Sequence, residues 1–593
     1  MPPTPAFASA LALFQQGDLA RCEAVLRRAL PRDRENPDLL ALLAMALWPQ
    51  RKADQAEHFF RAALAIDPDH PQSLGNLGRL LTERGRAAEA VPLLQRVAEK
   101  HPARPEGWVN LAGALVSLRR YDEAAHAAEK AVRAGDAGPG TKAGQAAPVL
   151  SQAYSTWAGA LVLGGRVDEA IAALRSGLAS VPDAVVLASP LAATLNYSDS
   201  LDPAAIFEEH RRLGALIASR APASPFSPPV GGPGPISPGR RFRVGYISAD
   251  LRNHAVAAFI APVLRHHRRD RVEVFAYQTA PADAVSARLS TLADHWCEGP
   301  GWSDSQWLAK LRADGLDALV ELNGHTVGQR LGVLAARAAP LQVTYLGYPN
   351  TSAIPTIDLR LVDAHTDPPG AEALATERLV RLPRCFLAFE PPADAPEVSQ
   401  RPPGAPLNFG SANSHFKIGP RALALWARLV LAVPGSRLLL KSQSLSDEAV
   451  RARALGLLTG AGLAPDRVEL RGHTPGHAQH LRVYHDIDIA LDALPYHGTT
   501  TTCEALWMGV PVLTIAGRSH VSRVGVSLLK AVGLEELIAP DEEGFIQRGV
   551  RLANDAARRA DWRSSLRSTM AASPLCDGAG LARAIEAALG VVD

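Results

Sequence analysis

Residues 492–512 read DALPYHGTTTTCEALWMGVPV. The apolar run Ile487 to Leu494 has the character of a buried strand, and Pro495 to Gly498 form a turn. The apolar stretch Cys503 to Met508 predicts a helix that stops at Gly509-Val510-Pro511. Gly498 and Thr499, Thr500, Thr501 and Thr502 therefore fall where a helix begins. The first N–H groups of a helix have no partner within it, the dipole places positive potential there, and threonine hydroxyls add donors, so the segment suits a diphosphate. Glu504, one turn further on, is placed to accept hydrogen bonds from ribose hydroxyls. The same residues equally describe a threonine-capped helix between two buried strands, because caps and anion sites share one physics.

The chain around this segment keeps the same grammar. Strands are predicted at Leu407 to Gly410, Arg437 to Lys441, Val468 to Arg471, Ile487 to Leu491 and Val512 to Ile515. An earlier set is predicted at Arg243 to Ser248, Val272 to Gln278, Ala318 to Leu322 and Val343 to Leu346. Alternation with helical stretches implies parallel sheets covered on both faces. Proline-rich segments separate the parts. The expected domains are a Pro-rich connector at 221–240, a first Rossmann-like lobe at 241–390, an interlobe linker at 391–406 and a second lobe at 407–593. Two such lobes make a cleft, and ligands in these folds sit at the carboxyl ends of strands.

Residues 1–220 follow a different rule, a period of 34. Small residues recur at Ala10, Ala44, Gly78 and Ala112, and again at Cys22, Ala56, Ala90 and Ala124; Ala29, Ala63, Val97 and Ala131 form a third column. Each unit carries two helical patterns joined by a polar turn, such as Glu83-Arg84-Gly85-Arg86. The pattern resembles the tetratricopeptide repeat, with five units, a Gly- and Ala-rich interruption from Gly135 to Pro148, and a helical cap to about Arg220. Such a stack offers a groove to extended peptide or protein, although some solenoids serve only as spacers. The fold class is thus α plus α/β.

Bulk properties narrow the function. With 62 basic and 60 acidic residues and a formal net charge of +2, nothing favours nucleic acid or an anionic membrane as partner. No run approaches the ~18 apolar residues of a membrane span, and the beginning of the chain lacks the basic region of a secretory signal. Five scattered cysteines fit a reducing cytosol, so a cytoplasmic location is expected.

Polar residues gather at predicted strand ends. Ser248 to His254 follow the first strand, and His254 suits a general base or a donor to substrate, or a purely structural role. Asn323-Gly324-His325-Thr326 and Leu346 to Ser352 follow two others, and each alone is compatible with ordinary turn chemistry. In the second lobe Ser414 and Lys417 precede a helix near Pro420; a lysine there neutralises phosphate as a point charge, unless it is simply solvated. His473, His477 and His480 do not make a zinc site, because Pro475-Gly476 breaks the helix face they would need. With Thr474 they are better used as donors to a nucleotide.

Taken together, RVGYISADLRNH, PLQVTYLGYPNTS, SHFKI and HGTTTTCEALWMGVPVLT, behind tetratricopeptide-like repeats, resemble the O-linked N-acetylglucosamine transferases, and in particular their compact bacterial members. The resemblance implies a GT-B pair of lobes. It implies metal-independent, inverting transfer from UDP-N-acetylglucosamine to serine or threonine hydroxyls of a protein lying along the repeat groove. By position, His254 matches a proposed base, Lys417 the diphosphate lysine and Pro349, beside Gly347, a wall of the donor pocket. Thr474 and Pro475 match the backbone that meets uracil, and His480 the nucleotide histidine. Thr499, Thr500 and Thr501 match the phosphate run and Glu504 the acid on the ribose; His325, Ser414, His477 and Gly498 complete the expected donor site. The animal enzymes differ, with histidine at the position of Thr499, aspartate at Glu504, lysine at His477, arginine at Val483 and glutamine at Ser414, and with a long insert between the lobes. These differences keep the diphosphate cradle and change the surroundings of base and sugar. GDP-fucose or UDP-glucose as donor, or a repeat scaffold with a silent transferase domain, are the alternatives. No Asp-x-Asp stands at a predicted strand end to hold a metal, so no cofactor is expected; Asp486-Ile487-Asp488 opens a buried strand instead.

Overall fold

The computed structural model describes residues 5–136, 143–223, 239–402 and 404–591. These fall into two compact units, one running to Gly164 together with Ala172–Ala184, the other comprising Gly165–Ile171 and everything from Val185 onward.

The first unit is built of paired helices: Pro5–Gln15 with Leu19–Ala29, Pro37–Leu47 with Ala53–Ile66, Pro71–Glu83 with Ala87–Lys100, and Pro105–Ser117 with Tyr121–Asp136. The 34-residue columns are the contact faces. Ala10, Ala44, Ala112, Cys22, Ala56, Ala90 and Ala124 have no exposed surface, and a Cβ added at Gly78 would stand 2.4 Å from Leu94 Cγ. Proline opens three of the leading helices at the first helical position, where its missing N–H costs nothing. The expected interruption from Gly135 to Pro148 is shorter, because helices run to Asp136 and resume at Ala143; residues 137–142 lie outside the described residues. Most of the connector at 221–240 does so too.

The second unit holds two parallel sheets. The first contains β1 (Phe242–Ser248), β2 (Val272–Gln278), β3 (His295–Glu298), β4 (Ala318–Glu321), β5 (Leu341–Thr344), β6 (Leu359–Asp363) and β7 (Arg378–Leu382), in the order β3-β2-β1-β4-β5-β6-β7. The second contains β8 (Asn408–Ser411), β9 (Arg437–Lys441), β10 (Val468–Arg471), β11 (Ile489–Leu491), β12 (Val512–Ile515) and β13 (Ile538–Ala539), in the order β10-β9-β8-β11-β12-β13. Both orders reverse once, beside β1 and beside β8, so each lobe is doubly wound with its switch point between the first and fourth strands of its own set.

Two expected boundaries move. The helices Val185–Leu195 and Pro203–Ser219, expected to cap the repeats, belong to the unit that carries the sheets; Tyr348 of the first lobe donates to Ala192 O at 2.9 Å and contacts His210 Nε2 at 2.6 Å. The last helix, Gly578–Ala588, does not stay with the second lobe. It returns to the helix Ala255–His266 of the first, where Glu586 accepts from Arg268 N at 2.9 Å and Arg268 Nε at 2.7 Å and meets His267 Nδ1 at 3.0 Å. The strand β11 begins at Ile489 rather than Ile487, because a short 3₁₀ turn covers Arg482–Asp486.

Candidate active site

Each switch point brings two loops side by side. In the second lobe, β8 leads into 412–419 and then the helix Pro420–Ala432; β11 leads into 492–499 and then the helix Thr500–Trp507. Gly419 N donates to Leu494 O at 3.3 Å, and Thr501 Oγ1 donates to Asn413 Oδ1 at 2.7 Å. Asp492 fixes the second loop by accepting from Ala493 N, Gly498 N and Thr514 Oγ1 at 3.0, 2.7 and 2.8 Å. Gly498 leaves room for this crossing: a Cβ there would lie 2.3 Å from Thr501 Oγ1 and 2.7 Å from Asn413 Oδ1.

The threonine run opens a helix as the sequence predicts. Thr499 is its N-cap without a side-chain cap bond, and Thr502 Oγ1 bonds back to Gly498 O at 2.9 Å. The N–H groups of Thr499 to Thr502 have no acceptor among the described residues. Lys417 stands on the neighbouring loop, where the next residue, Ile418, pairs with Pro495. Its Nζ lies 4.1 Å from the ring centroid of Tyr496, which is backed by Tyr197 at 5.1 Å. No hydrogen bond or ion pair within the described residues neutralises it. Burial pulls its pKa down to about 8, with Asp492 opposing. An ammonium on an aromatic face and four N–H groups without an acceptor, carried by adjoining loops, are donors of the kind that suit a polyanion. Ser414 lies one turn ahead, with its carbonyl accepting from Lys417 N at 2.9 Å.

A second polar cluster lies on the same helix. Glu504 is 5% exposed. His477 Nε2 meets its Oε1 at 2.9 Å and His480 Nε2 its Oε2 at 3.2 Å. Lys441, at the end of β9, contacts His480 Nδ1. Burial pushes the Glu504 pKa up, but the hydrogen bonds from His477 and His480 outweigh it and hold the carboxyl below its usual range. Glu504 in turn raises His477, while burial lowers Lys441. Lys441 escaped the sequence reading; the available signal was a lysine ending the all-leucine strand RLLLK. Thr474 Oγ1 is buried without a partner.

In the first lobe His254 caps the helix Ala255–His266. Its Nδ1 accepts from Val256 N at 3.3 Å, whereas Asp250 Oδ2 is 3.6 Å away. Burial lowers the His254 pKa and raises that of Asp250. The neutral imidazole with Nδ1 accepting carries its proton on Nε2, the nitrogen left for a substrate. Asn323, another residue missed as a site builder, ties the two switch-point loops: Oδ1 accepts from Ala249 N and Nδ2 donates to Asp250 Oδ2, both at 2.8 Å.

A cavity of about 770 Å³ joins the lobes, lined by His254 on one side and Thr474, His477, Thr500 and Glu504 on the other. Lys417, Ser414, Gly498, Thr499, Thr501 and His480 are outside the lining; Thr499 and Thr501 flank Thr500 in the chain, and His480 meets Glu504. Also outside the lining are His325, Gly347, Pro349 and Pro475. His325 is buried with Nδ1 3.1 Å from Ser189 Oγ and Nε2 2.8 Å from Ser352 O, so both ring nitrogens are used inside the protein. Gly347 is required by packing, since a Cβ would fall 1.7 Å from Leu322 O, and neither it nor Pro349 lines this cavity. Pro475 is exposed and outside the lining. Asp486 and Asp488 lie at the amino end of β11, opposite the site, engaged by Arg471 and Arg401. Among the described residues no cluster of three or more His, Cys, Asp or Glu is disposed to hold a metal ion.

Known proteins give this geometry a context. The Glycosyl transferase family 41 profile matches residues 233–391 and 399–584, and Tetratricopeptide repeat profiles match 7–71, 47–108 and 81–137. A tomato (Solanum lycopersicum) protein named probable UDP-N-acetylglucosamine–peptide N-acetylglucosaminyltransferase SPINDLY is 42% identical over 59% of this chain and 38% of its own length. An Arabidopsis thaliana protein of the same description, SEC, is 29% identical over 64% of this chain and 40% of its own. The chain thus spans about two fifths of the length of these relatives. A solved lysine-to-methionine mutant of the Thermobaculum terrenum O-GlcNAc transferase is 33% identical, covers 94% of this chain and 98% of its own, and superposes with a TM-score of 0.74. With a matching profile over both sheets and the loops that build the cavity, the chain belongs to glycosyl transferase family 41.

Proposed function

We propose that this chain transfers N-acetylglucosamine from UDP-N-acetylglucosamine to serine and threonine hydroxyls of proteins, with inversion and without a metal ion. The observation that carries the reading is the unneutralised Lys417 ammonium, held on Tyr496 by a loop that adjoins the one leading to the open helix start at Thr499–Thr502. Glycosyl transfer is limited by the departing nucleoside diphosphate, on which negative charge grows. Fixed donors aimed at such charge contribute ~3–4 kcal/mol each in a site that excludes water. Lys417 supplies one full charge and the helix start four N–H groups, which is the task a divalent cation performs elsewhere.

Glu504, oriented by His477 and His480, receives the ribose hydroxyls; each carboxylate oxygen keeps a lone pair after its histidine bond. Thr474 turns its unfilled hydroxyl toward the base. His254 acts on the sugar or leaving oxygen as a donor through Nε2. To serve as base it would have to give up the Val256 N–H and turn Nδ1–H to Asp250, so the acceptor proton passes instead to a phosphate oxygen of the donor. The repeats hold the acceptor protein, and the scattered cysteines favour the cytoplasm.

Lys417 and the threonine loop do not read the base, so the donor is tested as a panel of UDP-N-acetylglucosamine, UDP-glucose and GDP-fucose, with mass spectrometry of acceptor proteins. Transfer from the first, undiminished by EDTA, is expected. Strict Mn²⁺ dependence would overturn the metal-free mechanism, and exclusive use of another donor would overturn the sugar.

A further inference from the structure

A second cavity, of about 290 Å³, shares no lining residue with the site above. Its walls come from both lobes: Asn350, Arg360 and Thr366 from the first, Ser519 and His520 from the second. Arg360 lies inside β6 and is 4% exposed. A guanidinium has five N–H donors, yet that of Arg360 makes no hydrogen bond within the described residues, and its Nη2 is buried without a partner. The neighbouring acid, Asp367, is 3.9 Å from Nη1, beyond hydrogen-bonding distance. Asp367 is committed elsewhere, since its Oδ2 meets His520 Nδ1 at 2.5 Å. Arg518 adds a second guanidinium to the wall, 2.8 Å from Asp202.

A buried cation with empty donors, facing a cavity, is costly unless something fills them. Asp367, a carboxylate shared with His520, balances charge at 3.9 Å but fills none of the guanidinium donors. A planar guanidinium matches two oxygens of one carboxylate or phosphate. We propose that this cavity at the seam of the lobes is an oxyanion site anchored by Arg360, distinct from the donor site, for a small carboxylate or phosphate-class ligand.

The test is calorimetric titration of the full chain with inorganic phosphate and, separately, acetate. The wild type is compared with Lys417→Met, Arg360→Met and Ala371→Glu, the last placing a carboxylate at the cavity wall without touching Arg360. One anion is expected to bind Lys417→Met, in which the donor site is weakened, and to bind at least about tenfold more weakly when Arg360→Met or Ala371→Glu is added to that variant, with thermal unfolding reporting whether each remains folded. Should Arg360→Met fail to fold, Ala371→Glu alone decides. Preference for phosphate or for acetate identifies the ligand class. Absence of binding to the wild type, unchanged binding in the cavity variants, or loss in Lys417→Met alone would overturn the proposal.

Discussion

Replacing Lys417 by methionine removes a full positive charge from the loop that adjoins the threonine helix start, and the consequence for pH is specific. In the empty site the ammonium is held at about 8, below the usual lysine value, because burial is not offset by an acceptor. A bound diphosphate supplies that acceptor and raises the pKa again. Affinity that depends on the charged form is therefore complete below 8 and declines as pH rises through it. For a free-site value of about 8, the dissociation constant of UDP rises ~10-fold from pH 7 to pH 9, and binding at pH 8.5 takes up about 0.75 proton. The interval begins at 7 because the terminal phosphate of UDP itself titrates near ~6. Calorimetry in two buffers of different ionisation heat measures both quantities. In Lys417→Met the uptake vanishes, and UDP at pH 7 binds ~10- to 100-fold more weakly, the scale of a lost charge-assisted hydrogen bond. A flat wild-type profile, or the same proton uptake in the methionine variant, refutes the assignment of Lys417 to the diphosphate.

Other perturbations probe the remaining parts. His254→Asn retains a helix cap, so its melting temperature stays near wild type while kcat falls ~10²-fold or more; His254→Ala additionally loses ~1 kcal/mol of stability, read by denaturant unfolding. If Nε2–H is a donor, kcat/KM shows no ascending limb from His254 between pH 5 and 7, and such a limb that disappears in His254→Asn would restore the base assignment. Gly498→Ala forces a Cβ to 2.3 Å from Thr501 Oγ1 and is expected to weaken UDP binding more than it lowers the melting temperature; unaltered binding would show the loop to be free to adjust. Glu504→Gln leaves His477 and His480 without their carboxylate. NMR titration is expected to show the His477 pKa falling back toward the ordinary histidine value; because His477 is half-exposed, its share of stability is screened to ~1 kcal/mol or less, present below pH 6.5 and fading as pH rises through the His477 value.

Much of this was legible before any coordinates. The threonine run announced itself because a strand, a turn and a helix fit into 21 residues, and the helix columns because small side chains recur wherever two helices touch. The strands that escaped notice have physical excuses. The strand β3 (HWCE) is a half-exposed edge, β7 (RLVRL) alternates arginines, and β6 (LRLVD) buries Arg360 where an apolar residue is the norm. His325 misled because a histidine after a strand looks the same whether its ring meets a ligand or Ser189 and Ser352. Lys441 and Asn323 act through bonds to residues 39 and 73 positions away, and pairings at that range leave no local trace.

The return of the last helix to the first lobe has a mechanical corollary. The polypeptide crosses between lobes twice, and the two crossings touch, since Phe389 N bonds Leu575 O at 2.7 Å while Glu390 N bonds Ala258 O at 2.7 Å. Two adjacent tethers permit rotation about the line they share and resist twist or separation. Any hinge motion of the lobes would have to turn about that line and break the seam contacts of His520 with Asp367 and of Arg523 with His365 O.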